Sequence, residues 1–345
     1  MFSRRNVTKW VALPLVLAGV WLTPGGEAGA QDVTLRLHNF NSPKAIANRL
    51  FLMPWAAELE KSTNGRLKVQ VFPAMQLGGK PSDLYGQARD GAVDIIWTVP
   101  EYTAGRFPLT EVFELPFVAG SAEATSQAMN EFYGKWLTDE YKDTHPLVFH
   151  TTASALIHTA DRPIRTLEDF KGMKLRGHSR VNTEVLKALG GVPVGMPVPK
   201  VYEALSRGLV EGTWVPWTIM RPFRLHEVTK YHTEVVMSPV LFVLTMNKKK
   251  YDSLPPDLKK AIDGSTGIAL AKRLGKMWDE DEKPGRAAAV KKGDEIIQLS
   301  AAEAERWRKA TQPVIDDWIK RVGGLGKDGA AMIADAKRLV AKYSN

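Results

Sequence analysis

The sequence predicts an α/β fold in two lobes with a ligand cleft between them, and three observations carry that reading. Short runs with period-two alternation of apolar residues are separated by stretches of helical periodicity, which is the pattern of an open α/β sheet. The run of α/β units starts afresh near residues 150–160, and a later strand is free to return to the first sheet. Once the N-terminal segment is set aside about 315 residues remain, a length that ordinarily divides into two domains.

Residues 1–30 stand apart from the folded chain. Arg4, Arg5 and Lys9 open it, no acidic residue precedes Glu27, the apolar run Val11–Leu22 follows, and Ala28-Gly29-Ala30 closes it. A basic start, an apolar middle and a small-residue site are the order of a secretory signal peptide. The run is also short for a bilayer span. Arg4-Arg5 within SRRNVTK resembles a twin-arginine export signal, with Val7 where phenylalanine is usual. The mature chain is therefore expected to begin near Gln31 and to reside in the periplasm.

Within that chain Val33, Leu35 and Leu37 share one face of a strand over Val33–His38. A helical stretch runs to about Ser62 and stops at Asn64-Gly65, and Leu67, Val69 and Val71 mark a second strand. Pro81 suits the first turn of the next helix, which ends near Gly91 before the apolar strand Val93–Val99. Strands at Leu147–Thr151 and Ala155–Thr159 then introduce the second series. It comprises a short helix at Leu167–Phe170, a strand at Lys174–Arg176, a helix at Val181–Leu189, a strand at Val192–Val194 and a helix at Val201–Arg207. Leu241–Met246 reads as a strand returning to the first sheet. After Pro255-Pro256 the residues Ala261, Ile262, Leu270, Leu274, Met277 and Trp278 form an apolar stripe, predicting a long helix packed across both lobes. Helices around Ala302–Val322 and Ala330–Lys342 complete the chain. The expected division is residues 31–153 plus 241–283 for lobe I and 154–240 plus 284–345 for lobe II.

Composition narrows the function. Removing the three basic residues and Glu27 of the leader leaves 44 basic against 37 acidic side chains, a net of +7 spread along the chain. This is no nucleic-acid footprint, though it favours anionic solutes. Lys248-Lys249-Lys250, the one dense cluster, reads as a solvated turn. With no cysteine there are no disulfides, thiolate metal sites or lipid anchor, and no second apolar segment suggests stable membrane insertion.

Motifs for catalysis fail on inspection. Around Gly79-Lys80, Ala74 stands where a phosphate loop needs its first glycine and Pro81 where it needs Ser or Thr. Gly324-Leu325-Gly326-Lys327-Asp328-Gly329 matches G-x-G-x-x-G but follows a helix, so it reads as a helix-to-helix loop. The seven histidines show no H-E-x-x-H, Gly264-Ser265-Thr266-Gly267 is no nucleophile elbow, and Glu280-Asp281-Glu282 reads as a solvated helix face. No enzyme, cofactor or metal site is expected.

Four segments in order carry a resemblance: FPAMQLGGKPSDLYGQARDGAVDI (Phe72–Ile95), YTAGRFPLTEVFELPF (Tyr102–Phe117), RPIRTLEDFKGMKLRGHS (Arg162–Ser179) and GVPVGMPVPKVYEALSRGLVEGTWVPW (Gly191–Trp217). Together they resemble the periplasmic solute-binding proteins of TRAP transporters over nearly the whole mature chain. The resemblance implies a two-lobed periplasmic binding protein with a long helix spanning both lobes, closure on a small organic carboxylate, and delivery to the TRAP membrane permease subunits. It places Arg176 on the carboxylate, a role suited to a planar guanidinium that stays charged when desolvated.

The chain departs from the family pattern in its second lobe. Glu211-Gly212-Thr213-Trp214-Val215-Pro216 stands where many relatives have Asp-Gly-Gln-Glu-Asn-Pro, and Leu156 stands where sialic-acid-type members carry a second arginine. Those losses point away from hydroxylated sugar acids. Trp214 and Trp217 suggest an apolar or aromatic body behind the carboxylate, with core tryptophans as the alternative. His38, Asn39 and Phe40 close the first strand, Trp97 ends the third, Tyr102 follows it, and His158 shares a strand face with Leu156. These complete the candidate lining, with local satisfaction of each as the alternative; His178 and Arg180 are read as helix caps. A ligand-sensing subunit for a membrane kinase and a secreted cleft hydrolase or lyase are the competing functions.

Overall fold

The computed structural model describes residues 32–344; the signal-peptide reading lies outside the described residues. The chain opens with β1 (Val33–Asn39), α1 (Met53–Ser62), β2 (Leu67–Phe72), α2 (Leu84–Arg89) and β3 (Ile95–Thr98). Leu35 and Leu37 of β1 are buried and Thr34 and Arg36 exposed, the alternation on which the sequence reading rested. Asn64 and Gly65 take left-handed backbone (φ 52° and 82°) and stop α1. After α3 (Ala122–Phe132) and β4 (Thr144–Thr151) the chain leaves this sheet.

The second series is β5 (Leu156–Thr159), β6 (Lys174–Gly177), α4 (Arg180–Ala188), β7 (Val192–Gly195), α5 (Val201–Ser206), β8 (Gly212–Val215) and β9 (Tyr231–Glu234). The chain then returns as β10 (Leu241–Asn247), antiparallel between β3 and β4, so the first sheet runs β2-β1-β3-β10-β4. Next come α6 (Lys248–Asp252), α7 (Pro256–Gly264), α8 (Gly267–Lys292), β11 (Glu295–Gln298), α9 (Ala301–Gly323) and α10 (Gly329–Tyr343). The second sheet is β11-β9-β5-β8-β6-β7. Strands β8, β9 and β11 have no counterpart in the sequence reading. All four residues of β8 are buried, so it carries no alternation to detect. Lys248–Lys250 begins the short helix α6, capped by the Asn247 side chain, instead of forming a turn. Helix α10, expected with the second lobe, lies against α3 of the first.

Three passages join the sheets. The connectors after β4 and before β10 run side by side, with Thr152 N donating to Val240 O (3.0 Å) and Ala155 N to Ser238 O (2.9 Å). The third is α8, which touches α3 and β4 near its start and the turn Trp217–Ile219 and β11 further on. Both contacts use the same two devices. A glycine permits close approach: a Cβ on Gly275 would lie 2.4 Å from Ala122 O, and one on Gly285 would lie 2.2 Å from Trp217 O. A carboxylate then takes two backbone N–H groups. Asp279 accepts from Ala122 and Glu123 (2.9 and 3.0 Å), and Glu282 from Trp217 and Thr218 (3.0 and 3.1 Å). Glu282, expected on a solvated face, thus turns inward to cap a turn of the second lobe.

Candidate functional site

Parallel strands leave their C-terminal ends at one edge of each sheet, and the crevice at such an edge is where ligands settle in open α/β folds. Here β1 and β3 deliver Phe40, Asn41, Val99 and Tyr102 from the first sheet, and β6, β7 and β8 deliver Arg176, His178, Val198, Val215 and Pro216 from the second. The antiparallel β10 brings Val240 and Phe242 to the same place from its opposite end. Thr152 comes from a connector, Trp278 from α8, and Ile219 and Phe223 from the segment after β8. They surround a cavity of only about 30 Å³, below the usual range of small-molecule sites, so a solute enters only as the lining moves apart.

The wall is divided by chemistry. At one end Arg176 is 1 % exposed. Its Nε donates to Met196 O at 2.9 Å, while Nη1 and Nη2 have only distant acceptors, Trp214 O and the Tyr102 hydroxyl, each at 3.5 Å. None of these is a carboxylate. Burial accordingly lowers the Arg176 pKa and raises that of Tyr102, the marks of a cation and a phenol without water. The Tyr102 oxygen accepts from Val198 N (3.1 Å), which leaves its own proton free to donate.

The other end is a stack of rings. Phe242 lies between Trp97 (centroids 4.3 Å apart, planes at 9°) and Trp278 (5.7 Å, 6°), and Phe40 stacks on Trp97 at 5.4 Å. Behind them the indole nitrogens of Trp97 and Trp278 face the two ring nitrogens of His150 at 2.8 and 3.1 Å. Burial pushes His150 down to about 3. The neutral ring has one lone pair and accepts from one indole at a time.

A larger space adjoins this cavity through Tyr102 and His178, and its lining includes Glu101, Glu111, Arg180 and Glu184. Glu111 is pushed up to about 7 by burial in spite of its ion pair with Arg321, and burial also raises Glu101. The cation lining this space, Arg180, is already engaged by Glu184, whereas Arg176 meets no carboxylate among the described residues. The Arg176 cavity is the better host for a carboxylate.

Of the residues singled out from sequence, Arg176, Phe40 and Tyr102 lie on the cavity wall, and Trp97 sits one layer behind it. The others are engaged elsewhere. Trp214 is buried with its indole donating to Ala155 O (2.8 Å), and only its carbonyl turns toward Arg176. Trp217 donates to Glu234 and packs edge-on against His158. His158 contacts His232 Nδ1 (2.7 Å) and Val215 O (3.0 Å). His38 binds Gln87 and accepts from Leu77 N, and Asn39 binds Asn48. Each of these five is satisfied locally. Ser179 caps α4, whereas His178 lines the cavity and Arg180 pairs with Glu184. Sequence reasoning missed Phe242 and Trp278. Phe242 stood in a recognised strand and Trp278 on a recognised stripe, but which sheet end and which helix face met the cleft depends on tertiary packing.

Comparison with known proteins bears on this cavity. Residues 41–321 match the family described as bacterial extracellular solute-binding protein, family 7 (DctP). A TRAP solute-binding protein from an unidentified marine microbe, specific for aromatic acid ligands and crystallised with 3-hydroxybenzoate, superposes with a TM-score of 0.89 at 44% identity, covering 91% of this chain and 100% of that one. A TRAP solute-binding protein from Rhodoferax ferrireducens with copurified benzoate gives 0.88 at 40% identity, over 90% and 98% of the two chains. The C4-dicarboxylate-binding periplasmic protein DctP of Rhodobacter capsulatus is 29% identical over 268 residues, 76% of this chain and 80% of that one.

Proposed function

The chain belongs to the family 7 bacterial extracellular solute-binding proteins, and we propose that its solute is an aromatic or otherwise apolar monocarboxylate, captured in the periplasm and passed to a TRAP-type membrane permease. One observation carries this reading. A fully buried guanidinium without a carboxylate partner among the described residues faces a cavity whose remaining wall is mostly aromatic and aliphatic. A buried charge is costly unless paired, so the site calls for one anionic group, and the two weakly engaged Nη atoms suit the two oxygens of a carboxylate. Beyond that anchor the stacked rings favour a flat apolar body.

A single cation on the cavity wall fits a monocarboxylate better than a dicarboxylate. Val215, in the place where many relatives carry asparagine, removes a polar contact that a sugar acid would use. The ligands of the 44% and 40% identical structures point the same way. Export is supported by the leader sequence, and among the described residues no helix is long and apolar enough to cross a membrane. A binding role, in preference to catalysis, is supported by the family and by a wall without an activated nucleophile: the Thr152 hydroxyl is engaged with Ala153 O. Closure would bend the paired connectors at 152–155 and 235–240 while α8 holds both lobes.

The test is a panel of acids titrated into the purified mature protein. Benzoate-type acids should raise the melting temperature and bind by calorimetry, with galacturonate, sialate and succinate far weaker. Tight binding of a sugar acid with no response to benzoates would refute the aromatic reading.

A further inference from the structure

His178 occupies an unusual position on the cavity wall. It is 6 % exposed, its Nε2 lies 2.8 Å from Glu114 Oε1, and both side chains are buried. Its other nitrogen, Nδ1, is buried and has no hydrogen-bond partner among the described residues. A buried polar atom left unpaired is unfavourable. Glu114 Oε2 and Asn182 Nδ2 are unpaired as well, but neither residue lines the cavity; Asn41, which does, is the competing anchor. Tyr102 belongs to the Arg176 end, and Thr152 accepts from Val240 N while donating to Ala153 O.

We propose that His178, oriented by Glu114, is a second polar anchor that accepts a hydrogen bond from a hydroxyl group on the ring of the solute. Glu114 Oε1 sits on Nε2, and with the imidazole proton at that nitrogen Nδ1 carries the lone pair. His178 lines the cavity, so when the wall parts around a solute this lone pair selects for a donor, and a phenolic hydroxyl is a strong one. The inference rests on the aromatic-acid reading above and specifies it: the preferred solute is a hydroxylated aromatic carboxylate, held by Arg176 at one group and by His178 at the other. Glu114 is a positioning residue, acting through the tautomer of His178.

Fluorobenzoates test this, because fluorine occupies nearly the space of a hydroxyl and donates no proton. The mature protein is titrated calorimetrically with benzoate, the three hydroxybenzoate isomers and the three fluorobenzoate isomers. At least one hydroxybenzoate should bind about tenfold or more tightly than its fluoro counterpart. In His178→Phe that ratio should fall to near one, whatever the change in benzoate affinity itself. Glu114→Ala should lower the ratio as well, since the tautomer is no longer fixed. Benzoate binding without any hydroxyl preference in the wild type overturns this proposal and leaves the aromatic reading standing. A wild type that binds no aromatic acid overturns both. A preference that survives His178→Phe and disappears in Asn41→Leu transfers the anchor to Asn41 and also overturns it.

Discussion

The two sheets contribute opposite chemistry to one cavity. The second sheet brings a buried charge, Arg176, which little in the protein neutralises. The first brings rings, Phe40 and Phe242 with Trp97 behind them, stacked on one another. A group held in place for a partner that has yet to arrive adds little to the stability of the empty protein. Rings that pack on one another stabilise the fold whether or not a solute is bound. Function and stability are therefore separable at one end of the cavity and merged at the other.

The largest expected effect tests the charged end. Arg176→Ala should weaken carboxylate binding by about 2–5 kcal/mol, tens- to thousands-fold, because it leaves the anion desolvated and unpaired. The melting temperature without ligand should stay the same or rise, since a buried charge is removed. Arg176→Lys keeps the charge without the two-pronged geometry and should recover only part of the loss. Calorimetry and thermal melts on both variants decide this. An Arg176→Ala protein that binds normally removes Arg176 from the site, and one that melts far below the wild type breaks the separation drawn above.

Phe242→Ala probes the other end and should affect both properties. Deleting a buried phenylalanine typically destabilises by about 3–5 kcal/mol, and here it opens a gap between Trp97 and Trp278. Affinity for aromatic acids should fall by roughly tenfold or more as the flat wall is lost. If urea titration shows native stability with reduced affinity, the ring end is also a preorganised binding surface and the contrast collapses.

The sequence disclosed these two ends unequally. Arg176 was legible because it sits in a short motif, KGMKLR, whose order and spacing resemble those of relatives. Strand ends Phe40 and Tyr102 were legible from the rule that open α/β folds bind at the edge of the sheet. Trp214 and Trp217 were weighted for their residue type, yet indole burial beneath a loop looks the same in sequence as indole exposure to a cleft. Their indoles go to Ala155 O and Glu234. Phe242 and Trp278 meet only because β10 returns antiparallel and α8 crosses over it, a juxtaposition of residues 36 positions apart that no local pattern encodes. His178 was read as a cap because it follows Arg176 just ahead of a helix, whereas the residue that caps the helix is its neighbour Ser179.

Helix α8 allows a finer comparison, since it grips each lobe by a glycine. Gly275→Ala and Gly285→Ala both force a methyl group onto a backbone carbonyl, and each should destabilise by about 1–3 kcal/mol. Their effects on binding should differ. Gly285 faces Trp217, whose turn leads directly to the cavity residues Ile219 and Phe223, so Gly285→Ala should also weaken binding. Gly275 faces the start of α3, and its variant should bind normally once stability is allowed for. Equal affinities in the two variants would mean that the turn after β8 is positioned independently of α8.

The smallest effect is a pair of opposite pH slopes, one from each region. His150 lies behind the rings and is pushed down by burial to about 3, against about 6.5 in an unfolded chain. Its folded value is depressed, so between these limits the unfolded chain binds the extra proton. The stability it contributes is full above pH 6.5 and is lost as pH falls toward 3, amounting to about 2 kcal/mol at pH 5. Glu282 holds the turn of the second lobe and is raised to about 7, because burial outweighs the hydrogen bonds from Trp217 and Thr218. The sign is reversed: its contribution is full below about 4.5 and is lost as pH rises toward 7. In the wild type the two slopes partly cancel between pH 5 and 7, so each must be exposed by substitution. His150→Phe should gain stability relative to the wild type as pH falls from 7 to 5, and Glu282→Gln should gain as pH rises from 5 to 7. Urea unfolding at four pH values measures both. A constant offset from the wild type for either variant would mean that its group keeps an ordinary pKa in the folded protein, and that the two regions do not differ in their response to protons.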